Sequence, residues 1–377
     1  MARRGPNEGN IYLRADGRWV ARLTVGYQGG KRVRKHFYGH SRREAQERLT
    51  RALRDAQQGL PVGIDERQTV AQYLTRWLED AVRPSVRPRT YVTYAGYVRR
   101  YLIPELGRIP LAKLTPQQVQ TMLNRKLADG LSARSVHHLR AVLRHALNQA
   151  VRWDQVPRNV AALVAPPHVP PYETPCLDPA EARAFLNAAA SDRLAALYTV
   201  ALAVGLRQGE ALGLQWEDLD LDAGRLTVRH ALQRVDGRLI LVEPKTRLSR
   251  RTIVLPPFAV AALHKHRKRQ LSERLWAGAR WQDHGFVFTS TIGTPLDGSN
   301  VTHRLQRLLR EACLPKQRFH DLRHSAASLL LVQGVHPRVV MEMLGHSQIS
   351  LTLNTYSHVI PSLQEDAAKR MEELLAT

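Results

Sequence analysis

Only two cysteines, Cys176 and Cys313, occur in 377 residues. That scarcity excludes a disulfide framework and a cysteine-rich zinc site, and it fits a reducing compartment. Long apolar runs are also missing. The longest, Leu194 to Leu206, covers 13 residues between Arg193 and Arg207, short of the roughly 20 that a membrane-spanning helix needs. The opening Met1-Ala2-Arg3-Arg4-Gly5-Pro6 leads into no apolar stretch, so no secretory signal is expected. These absences together predict a soluble chain in the cytoplasm, with no membrane partner. Acidic residues are the third shortage, 33 Asp+Glu against 56 Lys+Arg, for a formal charge of +23. Lysine is scarce as well. Arginine outnumbers it 47 to 9, a bias that fits either a GC-rich genome or phosphate recognition by forked guanidiniums.

The excess charge is uneven. Residues 1–60 carry 14 basic and 5 acidic residues and residues 61–170 carry 16 and 7, so the first 170 residues hold +18 of the +23. Charge spread over two successive segments points to extended contact with a phosphate backbone. No segment joins a basic face to exposed bulky apolar residues at one helical period, which argues against a membrane surface. At 44% hydrophobic residues the chain has material for real cores, and its length exceeds the roughly 250 to 300 residues that one core usually reaches.

The expected fold class is multidomain α+β. A first domain, 1–62, reads as a small three-stranded sheet plus a helix. Its strands lie around Ile11–Leu13, Trp19–Val25 and Arg32–Tyr38, with turns at Asp16-Gly17 and Gly29-Gly30. Trp19, Ala21, Leu23 and Val25 share one face, and Arg32 and Arg34 share a face of the third strand as candidate DNA contacts. Ser41 and Glu44 form a capping box for a helix reaching about Gln58. Gly59 to Gly63 reads as a linker. A second domain, 66–165, is all-α, with helices over Thr69–Ala81 and Pro88–Leu102, one capped by Thr115, Pro116 and Gln118, and one from Ser132 that repeats Val136, Leu139, Leu143 and Leu147. Its other face offers Arg134, Arg140 and Arg144 to phosphates. Five prolines in 166–175 mark an extended linker. The third domain, 176–377, is mostly α with a small antiparallel sheet, read as three strands in 225–255 with turns at Asp236-Gly237 and Lys245-Thr246. Helices follow near Pro257–Glu273, Gly298–Ala312, Phe319–Gln333 and Pro337–Leu344. A tail with Leu363, Ala367, Met371 and Leu374-Leu375 on one stripe forms an amphipathic helix that needs a partner surface.

Several polar residues of this third domain sit where folding alone does not ask for them. Arg207 follows the buried run, with Glu210 three residues on to hold it. His320 and Arg323 are spaced i,i+3 and share a helix face suited to one anion. Leu344-Gly345-His346 and then Tyr356 complete the set. His320 with His324 lacks a Glu or Cys at matching spacing, so no metal site is expected.

Arg207 with Glu210, Lys245, His320-x-x-Arg323, Leu-Gly-His346 and Tyr356, in that order, resemble the catalytic set of the tyrosine recombinases, the phage integrase family. The resemblance covers essentially the whole chain; Leu351 departs from it, standing where related sequences often have threonine. It implies a site-specific recombinase that cleaves and rejoins DNA through a 3′-phosphotyrosyl bond, without cofactor, to integrate and excise a mobile element. Tyr356 is then the nucleophile, Arg207 and Arg323 hold the non-bridging oxygens, Lys245 protonates the leaving oxygen, His346 bonds the phosphate, and Glu210 orients arginine. His320 is a candidate to take the tyrosine proton. The implied partners are double-stranded DNA at arm- and core-type sites, a homo-tetramer formed on it, an excision or directionality factor and a host DNA-bending protein. The implied setting is the bacterial cytoplasm, with association to the nucleoid during recombination. A type IB-like topoisomerase would use the same chemistry but leaves the N-terminal module unexplained, and a non-catalytic DNA-binding regulator leaves Tyr356 unexplained.

Overall fold

A computed structural model describes residues 9–28, 31–57, 67–170, 175–243, 250–345, 368, 371–373 and 375–376. The expected turn at Gly29-Gly30, the linker at Gly59 to Gly63, the turn at Lys245-Thr246 and most of the tail stripe lie outside these residues. The chain forms two compact units, Met1–Pro171 and Tyr172–Thr377, and the break falls within the proline-rich stretch.

The first unit begins with β1 (Asn10–Leu13), β2 (Trp19–Gln28) and β3 (Lys31–Gly39), an antiparallel sheet in that order, followed by α1 (Arg42–Gln57). Ser41 Oγ accepts from the backbone N–H of Glu44 at 3.1 Å and starts the helix. Ala45, Leu49 and Ala52 of α1 bury against Ala21 and Leu23, with Trp19, Val25 and Phe37 packed around them. The helix thus covers the face that alternation marks as apolar. On the other face Val20 lies between Tyr12 and Tyr38, and the next pairs are Arg22 with His36 and Thr24 with Arg34. A bulge between Thr24 and Gly26 shifts the register beyond that point.

The helical remainder comprises α2 (Val70–Trp77), α3 (Pro88–Tyr97), α4 (Ile103–Leu106), α5 (Pro116–Ala128) and α6 (Ala133–Arg152). Leu78–Val82 and Val98–Leu102 continue α2 and α3 as wider π-type turns. Thr115 and Gln118 make a reciprocal capping box, with Pro116 at the first helical position. Val136, Leu139, Leu143 and Leu147 all face the core of this region, which α6 shares with Tyr73 and Trp77 of α2.

The second unit contains α7 (Pro179–Ala189), α8 (Ala195–Val204), α9 (Gln208–Leu212), β4 (Leu219–Asp220), β5 (Arg225–Val228), β6 (Ala231–Val235), β7 (Arg238–Val242), β8 (Arg251–Val254), α10 (Pro257–Ala277), α11 (Gly298–Glu311), α12 (Phe319–Val332) and α13 (Pro337–Leu344). The expectation of three strands in 225–255 is corrected here. Among the described residues four strands, β5 to β8, lie in that range, and with β4 just before it they form two small sheets, β4-β5-β8 and the β6-β7 hairpin. The Asp236-Gly237 turn is present, both residues at positive φ. Alternation identifies extended chain but not partners, and β8 leaves the hairpin to pair with β5. α8 is the apolar run, buried through Leu197, Tyr198, Val200 and Ala201 among Phe185, Phe288 and Phe319. Among the described residues no helix is long and apolar enough to cross a membrane.

Candidate active site

The site starts where α8 stops. Gly205 caps that helix in the left-handed conformation, φ +66°, which glycine adopts without steric cost. A Cβ there would run into Leu344 and come within 3.6 Å of Arg323 Cγ. This close approach places the end of α8 against α12 and α13. Leu206 is buried, and Arg207 then stands at the N-cap of α9 with extended backbone.

Arg207 is held by three bonds. Its backbone N–H donates to Glu210 Oε2 at 3.1 Å, Nη1 donates to Oε1 at 2.6 Å, and Nη2 donates to the Gly345 carbonyl at 3.2 Å. Glu210 is only 4% exposed. Burial alone would push its carboxyl up, but Arg251 and then Arg207 outweigh that and hold it below the ordinary carboxylate range. It stays an anion, and Arg207 keeps a fixed partner. About a third of the Arg207 side chain remains exposed.

α12 supplies His320 and Arg323. At its start the Arg318 backbone N–H donates to Asp321 Oδ2 at 2.7 Å and the Arg318 side chain pairs with Oδ1 at 2.7 Å. Asp321 is buried, so this clamp fixes the first turn and the direction of His320. Arg323 is buried to 1% exposure, and its Nη1 donates to the Gly205 carbonyl at 2.8 Å. One arginine therefore holds the backbone two residues before the other. The His320 and His324 rings meet edge to face, 4.9 Å between centroids. His320 is an exposed residue; desolvation by the surrounding protein, then His324, Arg323 and Arg207, push its pKa down to about 4. The shift favours the neutral ring, whose bare nitrogen accepts a hydrogen bond.

Of the expected residues, the structure brings Arg207, Glu210, His320 and Arg323 together. Lys245, His346 and Tyr356 lie outside the described residues, although His346 follows Gly345 directly in the sequence. Among the expected DNA contacts, Arg32, Arg34, Arg134 and Arg144 are exposed. Arg140 differs. Its Nε donates to the Val164 carbonyl at 2.7 Å and its Nη2 to Ala162 at 3.4 Å, so it ties the end of the helical region to α6. Position on a helix face did not foretell this, because the acceptors come from a loop more than 20 residues away. Sequence reasoning also missed Asp321 and Arg251. The signal for Arg251 is the strand period, which puts it on the inward face with Ile253. Among the described residues no cluster of three His, Cys, Asp or Glu side chains is placed to hold a metal ion.

Two family models match the chain, the phage integrase family over residues 175–362 and the phage integrase N-terminal SAM-like domain over residues 69–127. A tyrosine recombinase XerC-like protein of Caldanaerobacter subterraneus is 32% identical over 372 residues, covering 93% of this chain and 95% of that protein. The fold is shared with a Tn1549 transposon integrase fragment solved with transposon right-end DNA, at a TM-score of 0.67, 24% identity, and 82% and 100% coverage of the two chains. It is also shared with a lambda integrase tetramer bound to a Holliday junction, at a TM-score of 0.59, 20% identity, and 94% and 96% coverage. The chain belongs to the phage integrase family, the tyrosine recombinases, and is a site-specific integrase.

Proposed function

We propose that the chain cleaves and rejoins double-stranded DNA at attachment sites of a mobile element through a covalent bond to Tyr356. The observation that carries this reading is the pair Arg207 and Arg323, fixed through Glu210 and the Gly205 carbonyl beside a neutral His320. Forked guanidiniums match the two non-bridging oxygens of a phosphodiester and stay charged at any working pH. Held before substrate arrives, they stabilise the crowded, more negative transition state without reorganising. Tyr356 Oη attacks phosphorus and the bond from phosphorus to O5′ breaks. The tyrosine proton passes to an acceptor, for which His320 is the candidate, and Lys245 donates a proton to the leaving 5′-oxygen. His346 supplies a further hydrogen bond to the phosphate. The 3′-phosphotyrosyl ester keeps the phosphodiester energy, so a 5′-hydroxyl of another strand reverses the step and no nucleotide cofactor is consumed.

Domain roles follow in the same reading. Residues 1–62 bind arm-type sites through the open sheet face with Arg32 and Arg34, residues 66–165 grip core sites with Arg134 and Arg144, and residues 176–377, after the linker 166–175, perform the chemistry. The lambda integrase tetramer on a Holliday junction supports a homo-tetramer as the working assembly, and the DNA in the Tn1549 complex supports duplex DNA as substrate. A directionality factor and a host DNA-bending protein complete the assembly, which works in the cytoplasm on the nucleoid. The test is a nicked attachment-site duplex, whose cleavage releases a short strand and traps the protein on DNA. A covalent adduct is expected with the parent chain and none with Tyr356→Phe. An adduct that survives this substitution overturns the mechanism.

A further inference from the structure

Arg251, the first residue of β8, has no role in the chemistry just described, yet its side chain is only 7% exposed. Its Nη2 donates to Glu210 Oε2 at 2.9 Å and its Nη1 reaches Oε1 at 3.4 Å. From the other edge of the guanidinium, Nε donates to the Met343 carbonyl at 2.6 Å. Met343 lies in the last turn of α13, two residues before Gly345, whose carbonyl accepts from Arg207. A closed circuit results, from Arg251 to Glu210, Arg207, Gly345, back along α13 to Met343, and again to Arg251.

We infer that Arg251 is a positioning residue, which aims Arg207 at the phosphate by fixing Glu210 and the C-terminal end of α13 at once. Stability alone does not call for this arrangement. Arg251 shares the inward strand face with buried Ile253, and apolar side chains in place of a buried ion pair commonly leave stability unchanged or improved. Arg207 alone already holds both Glu210 oxygens, through its backbone N–H and Nη1, but those bonds tie the carboxylate only to the residue it must orient. Arg251 grips the same two oxygens from a different element, β8, and its Met343 bond sets the distance between α9 and α13 that the Arg207 fork spans. The circuit also anchors β8, six residues beyond Lys245 in sequence, to the arginine site.

This inference rests on the phosphate role proposed for Arg207, and the two are tested separately with the full chain on the nicked attachment-site duplex. Adduct formation by Arg207→Ala at the parent rate overturns the phosphate role. For Arg251, cleavage at saturating protein, duplex binding and thermal stability are compared in Arg251→Met, Glu210→Gln and the double variant. Arg251→Met is expected to slow cleavage about 100-fold, the scale of a small misplacement of a reacting group, with binding within about threefold of the parent. Glu210→Gln leaves Arg251 buried without its anion and lowers stability, whereas the double variant removes both charges and recovers it. Cleavage stays slow in the double variant if Arg251 positions; cleavage that returns together with stability overturns the inference and leaves a structural role. Arg251→Lys keeps the charge but cannot reach Glu210 and Met343 together. It should fold like the parent and cleave about tenfold more slowly, and a rate within twofold of the parent also overturns the inference.

Discussion

Arginines of the two units live in different physical settings. In the first unit Arg34, Arg134 and Arg144 stand in solvent on a sheet face and along a helix. In the second, Arg251 and Arg323 are buried and Arg207 is half-buried, each bonded to a named carbonyl or carboxylate. Exposed charges in water act collectively, and no single one contributes much. Buried ones act individually, because low local polarity strengthens every bond they make and makes every lost partner costly. A chain can therefore carry most of its excess charge where little depends on any one residue, and keep its buried, individually bonded cations in the less charged half.

The largest break in this contrast is Arg323→Ala. It should lower cleavage of bound attachment-site DNA on the order of 10³-fold, as loss of a fixed oxyanion donor does, while a gel shift shows binding nearly intact. Equal loss of both would place Arg323 with the bulk charges. Next comes Gly205→Ala, which carries no charge change. Its positive φ and the collision with Leu344 should destabilise the fold by about 3 kcal/mol, measured by denaturant unfolding. Stability like the parent's would mean that the junction of α8 with α12 and α13 adjusts freely.

A buried histidine sharpens the comparison through pH. His266 is 2% exposed, its Nε2 bonds the Val287 carbonyl at 2.7 Å, and burial first, then nearby Arg269, push its pKa down to about 4. The unfolded chain takes up that proton near pH 6.5, the folded chain only near 4, so stability falls as pH drops through this window. His266→Gln should flatten the fall by up to about 1.4 kcal/mol per pH unit; an unchanged slope would assign it to other groups. The smallest effects belong to the first unit. Arg134→Ala or Arg144→Ala should reduce the salt dependence of DNA binding by about one unit of slope, and leave cleavage of the bound complex alone. Arg140→Ala should instead cost about 1 kcal/mol of stability, because two carbonyls lose their donor.

Much of the fold was legible because it rests on local rules. The capping box at Thr115, the buried stripe of α6 and the apolar α8 follow from residues within a turn or two of one another. Sheet partners were not legible, and the three strands expected in 225–255 are four among the described residues, divided between two sheets. At the site, Arg207, Glu210, His320 and Arg323 were recognisable as residue types at short spacings. Their mutual bonds were not. Arg323 meets Gly205 across 118 residues, Arg207 meets Gly345 across 138, and Arg251 meets Glu210 across 41.

The sequence by itself pointed to a polyanionic partner, through +18 of charge in 170 residues, and to the family, through residue types in a set order that resemble its catalytic set. Those are composition and local pattern, which need no folding to be read. Only the tertiary structure decided which cations are spent inside and which stay at the surface. Arg140 turned to carbonyls of its own chain, Arg251 joined Glu210 below the surface, and Arg207 stayed about one-third exposed. The reason is that a guanidinium's role depends on the acceptors packing brings within 3 Å or so, and those come from segments far away in sequence.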